Sequence, residues 1–165
     1  MTVRVSVNYN DPRWKRFDLT SYVGLLLSKV VQIHQMRINN FSLSVLACSD
    51  SKIKELNGQY REKNKATNVL AWPATHCFFY RDQDFWLYGK NNHLFLGDIA
   101  ISYERCLREA SFHNIHFNRY CCKLLVHAIT TWENTEGVIG IVGREHLEAI
   151  NWGHGVHNLS NYLHQ

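Results

Sequence analysis

The segment from Lys123 to Gly137, KLLVHAITTWENTEG, puts His127 directly behind Leu124, Leu125 and Val126. Neutral imidazole is the commonest metal ligand, and two imidazoles four residues apart on a helix can face one ion. Here the position one turn beyond His127 is Thr131. His127 is therefore the remnant of a metal site, part of a site completed elsewhere, or a histidine satisfied inside an apolar core. His146, His154 and His157 lie downstream, and His154-x-x-His157 has a spacing that can serve a metal. Their glycine-rich setting makes surface loop histidines the simpler reading. A second cluster is Arg61, Lys63 and Lys65, three cations within five residues. The bland reading is a solvated basic face, with Arg61 favourable at the negative end of a helix.

These groups need elements to hold them. Val3, Val5 and Val7 alternate with polar residues as in a half-buried strand. Between Trp14 and His34 the spacing of Phe17, Val23, Leu26, Leu27, Val30 and Val31 predicts an amphipathic helix. Phe41, Leu43, Val45 and Ala47 form a second alternating strand, after which Ser49, Asp50 and Ser51 offer caps for a helix carrying Ile53 and Leu56. Thr67 to Trp72 reads as a third strand stopped by Pro73, and Leu94 to Ile101 as a fourth. The segment between them holds Phe78, Phe79, Tyr80, Phe85, Trp86 and Tyr88 and reads as a hairpin with its own small core; base stacking is the competing use. Ser102 can cap the helix YERCLREASFHN, with Glu104 in its first turn, and a final helix runs from about Asn118 through His127. Cys121 and Cys122 fall in its core. The expectation is a single compact α+β domain, a small mixed sheet packed by helices.

Composition bounds the rest. A chain of 165 residues with 45% hydrophobic side chains can bury one sizeable core and is too apolar for intrinsic disorder. No apolar run reaches the roughly 20 residues that span a bilayer, and the first residues lack a signal-peptide apolar region. A non-exported protein without a membrane partner is expected, cytoplasmic, with an organellar location left open. The five cysteines, at 48, 77, 106, 121 and 122, form no C-x-x-C pair, so free buried thiols in a reducing compartment are expected. A net charge of +4 is compatible with an RNA partner without arguing for one.

Three blocks occur in order: LNGQYREKNKATNVLAWP (Leu56 to Pro73), LGDIAIS (Leu96 to Ser102) and LLVHA (Leu124 to Ala128). Together they resemble the YbeY family of metal-dependent endoribonucleases, which act in ribosomal RNA maturation. The likeness spans roughly Val3 to Ala128 and implies a YbeY-like unit over residues 1–137, followed by an atypical tail over 138–165. It implies cleavage of single-stranded RNA and, as partners, ribosomal RNA and the small ribosomal subunit. It also implies zinc held by three histidines in the pattern H-G-x-L-H-L-x-G-Y-D-H, which leaves a fourth position for a water acidified by the metal. The Tyr60-Arg61 element matches the family's arginine. Its guanidinium would hold a phosphate bidentately and stabilise charge on pentacoordinate phosphorus, with Lys63 and Lys65 touching phosphates alongside. Thr67, Asn68 and Asp98 are expected to order strands and turns around the cleft.

The pattern breaks after its first ligand. His127 fits the first histidine, Ala128 stands for the following glycine, Thr131 for the second ligand and Gly137 for the third. Beyond it, glycines at 137, 140, 143, 153 and 155 interrupt any helical period. Three explanations stay open: ligands rebuilt from the tail histidines, a metal-free RNA- or ribosome-binding protein on the same fold, or a shifted reading frame after Ala128, which would replace motif and helix together.

Overall fold

Val3, Val5 and Val7 put every second side chain on one side of β1 (Thr2–Tyr9), which pairs in parallel with β2 (Asn40–Cys48) from Thr2 opposite Asn40 to Tyr9 opposite Ala47. In a computed structural model of the chain, which describes residues 2–33, 40–74 and 93–131, β2 also pairs in parallel with β4 (His93–Ser102). Strand β4 pairs antiparallel with β3 (Val69–Pro73), giving a mixed four-stranded sheet of order β1-β2-β4-β3. The helices are α1 (Leu19–Ile33), α2 (Asp50–Arg61), α3 (Tyr103–Phe112) and α4 (Phe117–Thr131).

The two sheet faces differ, as strand alternation requires. Phe41, Leu43, Val45 and Ala47 of β2 join Leu94, Leu96, Ile99 and Ile101 of β4 in the main core, with Leu26 and Leu27 of α1 and Leu125 and Ile129 of α4. Leu70 of β3, Ala100 of β4 and Cys48 of β2 point the other way, into a smaller cluster closed by Ile53 of α2. The spacing of core residues in β4 slips by one between Leu96 and Ile99. A bulge absorbs the slip: Ser42 faces Phe95 but Ser44 faces Asp98. Gly97 sits in this bulge at φ +137°, and a Cβ there would lie 2.2 Å from the Trp72 carbonyl oxygen. No other residue type fits.

Several boundaries differ from the sequence reading. Trp14 does not open the first long helix. It lies in a short 3-10 helix, Pro12–Arg16, whose cap Asp11 accepts from the Arg13 N–H at 3.0 Å. The chain then restarts at Asp18, whose carboxylate accepts from the Ser21 N–H at 3.1 Å, so α1 begins at Leu19. Strand β3 starts at Val69, two residues late, and Pro73 ends it from within, opposite Gly97. An edge strand tolerates the missing N–H. Ser49 caps α2 as expected, accepting from the Lys52 N–H at 3.4 Å. Ser102 precedes α3, yet its buried hydroxyl makes no cap bond and donates instead to Asp50. The aromatic segment 75–92 and the tail 138–165 lie outside the described residues.

An ionic chain ties the helix ends together. Glu104 accepts from the Asp50 N–H at 2.8 Å and from Arg13, which also binds Asp11 and lies 4.7 Å over the Tyr103 ring. Asp50 is paired with Arg108 as well. Burial raises the pKa of Asp50, but the bonds from Ser102 and Arg108 outweigh it and hold the group below its ordinary 3.8. Burial likewise opposes, and Arg13 and the Asp50 N–H overcome it, to hold Glu104 below 4.5. The Arg13 bond lowers Asp11 outright. Cys48, Cys106, Cys121 and Cys122 are free, buried thiols, as expected, and burial pushes Cys48 and Cys122 up to about 12.

Two outcomes are expected. Gly97→Ala should lower the unfolding free energy by roughly 3 kcal/mol or more, read from the urea midpoint, because the clash is with backbone that cannot swing aside. Carboxylates with depressed native pKa values stabilise the fold fully above their unfolded values, and that stabilisation is lost as the pH falls through the native ones. Stability should therefore hold above pH 4.5 and decline below it, and Glu104→Gln should flatten the decline in acid denaturation followed by circular dichroism.

Candidate functional site

Helix α2 buries Ile53 and, one turn later, the amide of Asn57, a polar residue on the face that packs against the sheet. The helix ends at Arg61, and Glu62 turns left-handed at φ +56°, its N–H reaching the Gly58 carbonyl at 3.1 Å. Lys63 donates its N–H to the Asn57 carbonyl at 3.1 Å, which folds the chain back over the helix end. The Asn57 side chain donates to the Lys65 carbonyl at 2.8 Å, and Arg105 of α3 donates to the Ala66 carbonyl at 3.2 Å. Arg61, Lys63 and Lys65 are all exposed on this anchored turn. The structure thus brings the three predicted phosphate contacts together on a short, internally braced loop.

Beside it, Tyr60 is 59% exposed with its ring 5.5 Å from Trp72 of β3, an edge-to-face contact. Asn68 orders the entry to β3, as expected. Its side chain accepts from the Val69 N–H at 2.7 Å and donates to Glu109 at 2.8 Å, while its carbonyl accepts from the Ser102 N–H at 2.9 Å. Glu109 also accepts from Tyr120, and burial followed by this bond pushes the phenol's pKa up. Asp98 is exposed and holds Ser44 across the β2–β4 pair. It ties strands, as expected.

His127 lies elsewhere. Helix α4 packs against the main core, on the sheet face opposite α2, and both helices touch β3. Leu124, Leu125, Val126, Ala128 and Ile129 are buried, but His127 is exposed, in line with exposed Arg119 and Lys123 at four-residue spacing. The reading of His127 as a core histidine is overturned. The apolar run before it belongs to the other side of the helix. Thr131 ends α4 one turn later, and Gly137, His146, His154 and His157 lie outside the described residues.

A family model described as Endoribonuclease YbeY matches residues 7–130. The chain belongs to the YbeY endoribonuclease family. The Endoribonuclease YbeY of Cereibacter sphaeroides is 32% identical over 142 residues, 84% of this chain and 80% of that protein. The YbeY of Paracoccus denitrificans is 36% identical over 125 residues, 76% and 70% of the two chains. A solution structure of a Thermotoga maritima protein has the same fold, with a TM-score of 0.51 at 19% identity over 89% of this chain and 85% of that one. The YbeY match ends one residue before Thr131.

The donors of this chain do not fit a zinc site of three imidazoles at the YbeY positions. A threonine hydroxyl at 131 is a poor neutral ligand and a glycine at 137 has none to give. Among the described residues no group of three His, Cys, Asp or Glu side chains comes together.

Sequence reasoning missed Asn57 and Arg105. The signal for Asn57 was present, since it follows Ile53 by four residues on the buried stripe of α2. Nothing local marks Arg105, whose partner is a carbonyl 39 residues away. Replacing Asn68 by Ala should cost about 1–3 kcal/mol, since it leaves the Val69 N–H unbonded, and hydrogen exchange should quicken first at Val69.

Proposed function

We propose that this chain binds single-stranded RNA and cleaves it as an endoribonuclease of ribosomal RNA maturation, with Arg61, Lys63 and Lys65 as its phosphate contacts. What carries this reading is the YbeY match, which includes the whole of the braced basic loop. A guanidinium in reach of a phosphate makes two charge-assisted bonds and favours the added negative charge of a pentacoordinate phosphorus. Exposed lysines act as point charges that displace counterions, so the binding they provide falls with salt.

His127 is the one metal ligand we assign, and zinc is the ion the resemblance implies. A complete site requires donors beyond His127, and His146, His154 and His157 are the candidates. Residues 1–137 form the YbeY-like unit in this reading and 138–165 an atypical tail. The partners in this reading are ribosomal RNA and the small ribosomal subunit, and the compartment is the cytoplasm. Among the described residues no helix is long and apolar enough to cross a membrane.

A second reading has a specific observation behind it. Thr131 and Gly137 at two ligand positions favour a catalytically inactive RNA- or ribosome-binding protein on the same fold. Elemental analysis of the purified chain beside His127→Ala separates the two. About one zinc per chain, lost in the variant together with cleavage of single-stranded RNA, would establish the first reading, with donors from outside the YbeY positions. RNA retention without metal or turnover would establish the second reading instead. In either case replacing Lys63 and Lys65 by Gln should reduce the slope of log affinity against log salt by about 1 to 2.

A further inference from the structure

The basic loop has a feature that its side chains do not explain. The Lys65 carbonyl is held by Asn57 of α2 and the Ala66 carbonyl by Arg105 of α3. Every peptide bond here is trans, so the N–H of each unit points away from its own C=O. The N–H of Ala66 is opposite the Lys65 carbonyl and that of Thr67 opposite the Ala66 carbonyl. The first is therefore turned away from Asn57 of α2 and the second away from Arg105 of α3. Neither meets a protein acceptor among the described residues, and both residues are only half-buried.

The surroundings favour an anion. Lys63 and Lys65 flank the two N–H groups in sequence and are exposed. Arg105 brings a further cation behind them. It makes no ion pair among the described residues, and its Nε is buried without a partner. Successive main-chain N–H groups in a turn form a concave anion site, and backbone N–H groups are regular partners of nucleic-acid phosphates.

We propose that the Ala66 and Thr67 amides form a phosphate-binding site for single-stranded RNA, with Asn57 and Arg105 as the positioning residues that turn them outward. This rests on the RNA-binding reading above and adds to it a main-chain contact. Side chains at 63 and 65 then supply charge, and the two amides fix where one phosphate sits. Asn57 and Arg105 never touch the RNA; they act by holding two carbonyls.

The test is a titration of the full ¹⁵N-labelled chain with a short 2′-O-methyl oligouridylate, followed by amide chemical shifts. The expected result is a saturable downfield shift of the Ala66 and Thr67 amide protons, larger than at other loop residues. Arg105→Met should weaken affinity roughly tenfold, the scale of one charge-assisted bond, and Arg105→Lys should restore most of it. If signals of Arg61, Lys63 and Lys65 move while the Ala66 and Thr67 amides stay in place, the amide site is wrong and RNA binding by side chains stands. If no signal moves, the RNA reading falls and takes this site with it. Should Arg105→Met not fold, the titration of the unmodified chain decides alone.

Discussion

Strand β4 has to satisfy partners that run in opposite directions, β2 parallel on one side and β3 antiparallel on the other. Its apolar residues also have to face one core across a slip in their own alternation. Gly97 makes both possible. Without a Cβ, the chain can pass close under the Trp72 carbonyl at a φ open to glycine, take up the extra residue and resume with Ile99 facing the main core. Everything at the candidate site hangs from this strand. Its last residue, Ser102, bonds both Asn68 and Asp50, and the helix that follows carries Glu104, Arg105 and Glu109.

Helix α3 consequently works as a polar bracket. Three of its side chains reach four segments: Glu104 the start of α2 and the 3-10 helix, Arg105 the basic loop, Glu109 the entry to β3. Hydrogen bonds to charged groups in partly buried positions stabilise more than exposed ion pairs do, and they cost more when one partner is lost. The bracket also anchors the backbone of a lysine-rich loop whose side chains are exposed. Repulsion among the cations is met by carbonyl anchors below them.

The break in the histidine pattern looks different once α4 is seen whole. His127 is not buried, so its helix presents it on the exposed side that also carries Arg119 and Lys123. Exposure removes the core explanation without restoring the missing ligands, since Thr131 and Gly137 are facts of the sequence. The two candidate groups, the basic loop and His127, belong to helices packed to opposite faces of the sheet that meet at its edge strand β3.

Alternation in β1 and β2, the cap at Ser49 and the apolar spacing of the helices were legible in the sequence, because each depends on neighbours within a turn or along a strand. So were the family blocks and the break at Thr131. The 3-10 start at Pro12 was readable in principle from Asp11 and Pro12, but the apolar spacing of Trp14 and Phe17 imitates the helix that follows. By itself the sequence determined which segments are strands and helices, which cations cluster, and which ligand types are absent. Only the tertiary structure decided that Ser102 serves Asp50 instead of its own helix, that Arg105 holds a carbonyl 39 residues away, and that His127 faces out. Such choices depend on which groups are brought within 3 Å of one another by packing, and no local pattern encodes that distance.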